Sequence, residues 1–344
     1  MIPLQYWAIE AHTFFRAASV SSNSRNNFSI KFSTVLRCLQ EKDEKKKRGT
    51  ELNDMLVIFG VIIVCGAVFG GYVLEGGHIR VLFQPIELLI ICGAAFGSLF
   101  ISSPMPLIKT IIKQSLGAMK DKGGSKAEYS ELLLLLYELT KTAKMNPLSL
   151  EPHVENPENS EIFKKYPGVL SNHHAIQFIC DTLKLQISSS MNPYDLEELM
   201  ETDIHSAHEE ENRAPSTVAR IGDAMPGLGI VAAVLGVVIT MGKLTQGKEV
   251  IGHSVAAALI GTFLGVLGSY GFMQPLAAKM ENNNAEEGQY YQVIKAALLA
   301  FAKDCSPKVC VEFARRTISP KSRPSFSEID KATSSVSSKT AAAA

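Results

Sequence analysis

The stretch RIGDAMPGLGIVAAVLGVVITMGKL (Arg220–Leu244) opens with charged residues, carries Pro226 three residues after Asp223, and then holds no charge from Ala224 to Gly242. As a helix rising ~1.5 Å per residue, that apolar run reaches about 28 Å, close to the ~30 Å hydrocarbon thickness of a bilayer. Three further windows avoid charge in the same way: Met55 to Leu74, Leu88 to Ile108, and Val250 to Ala278. Four windows of spanning length predict an all-α, polytopic membrane protein with four transmembrane helices. The competing reading makes them buried helices of a soluble protein, which would need four such helices in one core.

The windows pair into hairpins, 55–108 and 224–278, joined by a helical cytoplasmic domain over 109–223. Lys45, Lys46, Lys47 and Arg48 precede the first span, and Lys109, Lys113, Lys120, Lys122 and Lys126 follow the second. The hairpin loops carry only Arg80 in one case and Lys243 and Lys248 in the other. By the positive-inside tendency both termini are expected in the cytoplasm. A cytoplasmic C-terminal helix is expected over 279–330 and a disordered Ser/Lys/Ala tail over 331–344. The chain has 34 basic and 34 acidic residues, so overall charge gives no reason to expect a nucleic-acid partner.

The cytoplasmic middle lacks the marks of an enzyme: there is no phosphate loop, no G-x-S-x-G and no nucleophile beside a base. SELLLLLYELTKTAKM (Ser130–Met145) reads as an apolar-rich helix stopped by Asn146-Pro147, and Asn192-Pro193 reads as a helix start with Asp195 in its first turn. His173 and His174 diverge by about 100° on a helix and share no small site. His205 and His208 read as part of an acidic helix face, because no further ligand pair of metal spacing accompanies them. The six cysteines form no disulfide framework and no Cys-x-x-Cys pattern. No cofactor or metal is expected, and the region reads as a lever or docking surface.

In the spans the missing residue type is as informative as the ones present. Glu75, Glu87 and Asp223 stand at span ends, and no Asp or Glu lies within the four windows. A force-generating or conducting membrane protein usually places an ionisable group at membrane depth. Small residues are abundant instead: Gly261 and Gly265 stand four apart, Gly268 and Gly271 follow, and the third span has Gly229 and Gly236, spacing that lets helix backbones approach. Thr262 between them adds a hydroxyl that could bond its own backbone or line a wet path. Pro226 and Pro275 lie at the cytoplasmic ends of the third and fourth spans. Each removes a backbone donor, and the pair reads either as simple bends or as a hinge linking spans to cytoplasm.

Five separated motifs, VFGGYVLEGGHIRVLFQPIELLII, LEPHVENPENSEIFKKYP, IGDAMPGLGIVAAVLGVV, GTFLGVLGSYGFMQPLA and VEFARRTISPKSRPSF, together resemble the MotA family, ion-channel subunits of the bacterial flagellar stator. The resemblance is colinear from about Met55 to Asp330. It implies an inner-membrane protein present as five copies around two copies of MotB, with the ion-binding aspartate on MotB and torque delivered to the rotor protein FliG. It implies that Pro226 and Pro275 gate and that Thr262 lines the conduction path, while the packing role of Gly261 and Gly265 rests on their spacing. Glu151 matches the rotor-facing acid. Lys144, one residue out of register, is offered as the rotor-facing base. Protons are the expected ion. An ion-driven energiser of the ExbB or TolQ kind is the alternative, and its usual three spans count against it. Residues 1–54 fall outside the resemblance, and Met55, directly before the first span, is the expected true start.

Overall fold

A computed structural model describes residues 57–118, 124–189, 191–242 and 248–343. The extension 1–54 and most of the second hairpin loop, with Lys243, lie outside the described residues. All regular structure among the described residues is helical. Helix α1 (Val57–Leu74), a single turn at Ile79–Leu82 and α2 (Pro85–Ser102) form the first hairpin. Pro85 stands in the first turn of α2, where the missing N–H leaves no bond unmade.

The region between the hairpins contributes α3 (Met105–Ala118), α4 (Lys126–Met145), α5 (Pro147–Glu155) and α6 (His173–Ser189). Ser125 and Glu128 cap the start of α4 reciprocally, and Asn146 ends α4 while its side chain accepts the Leu148 N–H to begin α5. The leucine run has a simple cause: Leu132, Leu133, Leu135, Leu136 and Leu139 are all fully buried, because α4 is the central helix of the core between the hairpins. A helix that is apolar nearly all round is stable only when neighbours cover every side.

Helix α7 (Pro193–Met241) is one continuous helix of 49 residues, about 74 Å long. It begins at the Asn192 cap, which accepts from Tyr194 without a reciprocal acid, and it carries both Pro215 and Pro226 internally. The helix therefore runs unbroken across the boundary expected at Asp223/Ala224, and the helix before the third span and the span itself are one rod. The fourth span is α8 (Lys248–Val266), a π-helical segment Leu267–Met273, and α9 (Gln274–Ala302), which continues well into the core beyond the spans. Among the described residues, four helices are long and apolar enough to cross a membrane. On them Ile62, Ile63, Leu89, Phe96, Phe100, Val234, Val238, Ile239 and Leu259 face outward uncovered, an apolar surface suited to lipid and to neighbouring membrane helices.

The C-terminal region departs from the sequence reading. In place of one helix over 279–330, α9 runs to Ala302 and is followed by α10 (Pro307–Thr317) and α11 (Phe326–Ala343). Residues 331–343, expected as a disordered tail, continue α11. Composition alone could not reveal the cause: Ser325 and Glu328 exchange hydrogen bonds that start this helix, and Ile329 and Thr333 are buried against the core. The VEFARRTISPKSRPSF motif folds onto itself. Arg315 grips Glu312 through two hydrogen bonds of 2.7 and 2.8 Å and Arg316 adds a third, holding the Glu312 carboxyl down to about 2. Arg315 and Arg323 also donate to the carbonyls of Pro324 and Ile318.

Candidate ion pathway and gating site

The third and fourth spans meet along a seam of small residues. A Cβ added to Gly229 would lie 2.7 Å from the Gly261 carbonyl oxygen and 3.2 Å from the Cα atoms of Gly265 and Thr262. One added to Gly265 would lie 2.6 Å from the Met225 carbonyl oxygen, whereas at Gly261 the nearest atoms stand at 3.3 Å. Real Cβ contacts do not reach 2.6 or 2.7 Å, so α7 and α8 approach at a distance that only glycine permits at 229 and 265. Gly236 faces the Ala258 methyl, and Gly268 lies under the Met225 side chain. The small-residue spacing thus brings Gly261 and Gly265 into one backbone contact with the third span.

Thr262 sits half-buried beside this seam. Thr217 and Thr240 on α7 donate their hydroxyls to carbonyls four residues back, at 2.7 and 2.8 Å. Thr262 makes no such bond among the described residues, so of its two readings the structure leaves the hydroxyl available to a neighbour or to water. On α2, Glu87 lies on the buried stripe with Ile91, Ala95 and Leu99, spaced four apart, the stripe by which this helix packs on α7 and α8.

The two prolines sit differently. Pro226 is inside α7, where it gives no N–H to the carbonyl of Gly222, and the helix passes through it. Pro275 is in the first turn of α9, directly after the π segment. A proline ring presses on the carbonyl four residues before it and cannot donate to it. The backbone widens ahead of Pro275, and the N–H of Gln274 donates to Ser269, five residues back. The fully buried Ser269 hydroxyl has no hydrogen-bond partner among the described residues. Sequence reasoning passed over Gln274. Its Nε2 donates to Oδ1 of Asp223 at 2.6 Å and to the Ala219 carbonyl at 3.2 Å, joining α9 to α7 between the two prolines. The available signal was a polar residue inside an otherwise apolar run.

In the region between the hairpins Glu151 stands exposed on α5 between the buried Leu150 and Val154. Lys144 is engaged elsewhere. Its Nζ contacts Oδ1 of Asp304 at 3.0 Å and donates to the carbonyls of Asp304 and Cys305 at 2.9 and 3.2 Å. Asp304 adopts the left-handed backbone (φ 59°) in the turn after α9, and Lys144 ties down that turn. These three ties are within this chain, and the Lys144 side chain keeps over a third of its surface exposed. His205 pairs with Glu209 and His208 with Asn212, and no group of three potential metal ligands assembles among the described residues.

Residues 58–147 match the Motility protein A N-terminal family, and residues 171–293 match the MotA/TolQ/ExbB proton channel family. Motility protein A of Escherichia coli (strain K12) is 40% identical over 279 residues, covering 80% of this chain and 94% of the relative. The chemotaxis protein LafT of Vibrio parahaemolyticus is 35% identical over 278 residues, covering 80% and 98%. The fold is shared with a chain of the C. jejuni MotAB structure at a TM-score of 0.63 and 20% identity, covering 79% of this chain and 99% of that one. These are channel-type subunits and not enzymes. Matched along both halves and covering nearly the whole length of relatives well above 30% identity, the chain belongs to the motility protein A family within the MotA/TolQ/ExbB proton channel proteins.

Proposed function

We propose that this multi-pass membrane protein is a stator subunit of the bacterial flagellar motor that conducts protons jointly with a MotB-type partner and converts their flow into torque on the rotor protein FliG. It sits in the inner membrane with both termini cytoplasmic, as five copies around a MotB dimer. The observation that carries this reading is a division of labour in the spans. The seam offers close backbone approach and an unengaged Thr262 hydroxyl, yet no Asp or Glu lies within the four apolar windows. Moving a proton through hydrocarbon needs a group that binds and releases it. The carboxylate therefore comes from a partner helix set against the third and fourth spans. Protonating it removes a charge from the bundle, and Pro226 and Pro275 let the repacking pass into α7 and α9. Glu151 is the rotor-facing acid. The energiser reading is the weaker one, because relatives covering four-fifths of the chain are motility proteins.

The test is conduction with and without the partner. Cells lacking their own stators and expressing this chain alone should show no added proton leak. Co-expression with a partner freed of its plug should acidify the cytoplasm, and the intact pair should restore swimming. A leak from this chain alone would overturn the partner-carboxylate mechanism.

A further inference from the structure

Three structural facts converge on Gln274. Its side-chain amide has two N–H groups, and they meet two acceptors one helical turn apart on α7, the Ala219 carbonyl and the Asp223 carboxylate. Glycine at 222 makes room for it: a Cβ there would stand 3.2 Å from the Met273 Cβ and 3.3 Å from the Gln274 Nε2. The Gln274 backbone N–H meanwhile makes the i to i−5 bond to Ser269 within the π segment, and the next residue, Pro275, has no N–H to give. Gln274 is thus bound through its backbone to the irregular end of the fourth span and through its side chain to the third, three residues ahead of Pro226.

We infer that Gln274 is a positioning residue that locks the two proline-bearing helices together at the cytoplasmic exit, so that they bend as one unit. The inference rests on the stator reading. Each proline leaves its helix short of one backbone hydrogen bond, so each helix taken singly is easy to bend there. Were the two free of one another, a packing change along the glycine seam would be absorbed by whichever bent first. Two hydrogen bonds across the gap, one of them to a carboxylate and so the stronger, make the bend shared. Asp223 is exposed, in a place where water competes, so the lock is one that a switching state can break.

The experiment uses the full chain with its MotB-type partner in a stator-less motile bacterium. Gln274→Glu removes both donors and sets two carboxylates side by side. Torque should fall about tenfold, as expected for loss of a charge-assisted hydrogen bond, while membrane level and unplugged proton leak stay near those of the parent. Adding Asp223→Asn lets the new amide donate to Glu at 274, reversing the bond, and torque should recover to about half or more. Thermal unfolding of the purified complexes across the same cycle should be non-additive. Parental torque in Gln274→Glu, a double variant no better than the single one, or an additive unfolding cycle would each overturn the role of Gln274. A parent chain that turns no motor would instead overturn the stator reading.

Discussion

Thr262 carries the most direct test of the conduction path, because its hydroxyl is not spent on its own helix. Thr262→Val keeps the β-branched shape and removes only the oxygen, so folding should change by no more than about 0.5 kcal/mol. Proton leak through the unplugged complex should drop about tenfold, the value of one hydrogen bond to a moving ion or water, and Thr262→Ser should restore it. Unchanged leak in Thr262→Val would take the hydroxyl out of the path. Lys144 and Glu151 separate in the opposite sense. Lys144→Ala breaks the ties to Asp304 and Cys305 and should lower stability by about 0.5–1.5 kcal/mol, read as a lower unfolding midpoint. Glu151→Lys alters only exposed surface and should leave the midpoint alone while impairing motility. Lys144→Ala with an unmoved midpoint and lost motility would return Lys144 to the rotor face. The spacing of these residues was legible in the sequence. That Lys144 also braces a turn 160 residues later was not, since nothing local marks so distant a partner.

At the level of elements, the glycine pattern between the third and fourth spans was readable and its gradation was not. Small-xxx-small spacing predicts close approach, but only the packed pair shows that Gly229 and Gly265 face backbone atoms while Gly227 faces open space in this chain. Gly265→Ala must push α7 and α8 apart, because a carbonyl cannot yield as a flexible side chain would. It should destabilise by about 1–3 kcal/mol, the usual range for overpacking. Gly261→Ala meets its nearest atoms at 3.3 Å and should be milder. Gly227→Ala should leave the unfolding midpoint equal or slightly raised, since alanine exceeds glycine in helix propensity by up to about 1 kcal/mol. Equal losses at 227 and 265 would refute the seam as the cause. The π segment was beyond sequence reasoning for a related reason. Pro275 announces a disturbance, but whether a helix kinks, ends or widens depends on what its neighbours accept, and here the Gln274 bonds to α7 favour widening.

On the proposed reading, two long helical runs carry the third and fourth spans onward into the core without a break, and their junction beyond the spans is where transmission can be tested. The four spans were legible because apolar runs of spanning length have few other uses. The continuity of α7 was hidden by Pro226, which read as a bend or a hinge at the end of the span. Structure shows how Pro215 is accommodated: it gives no N–H to the Glu211 carbonyl, and that oxygen instead accepts from Asn284 on α9 at 2.9 Å and Gln114 on α3 at 3.3 Å. Asn284 also donates to Asn212 at 3.1 Å and is buried. A proline that would weaken an isolated helix thereby supplies the acceptor that fastens three helices together. Asn284→Asp replaces both donors with a carboxylate aimed at two acceptors, a buried mismatch of about 1–3 kcal/mol. The junction lies fourteen residues before Pro226 on α7, about 21 Å along the helix, so the ion path itself should be untouched. The expected phenotype is a normal proton leak through the unplugged complex together with low torque on tethered cells. Loss of leak and torque in equal measure, at normal membrane level, would mean that this junction shapes the channel and does not merely transmit from it.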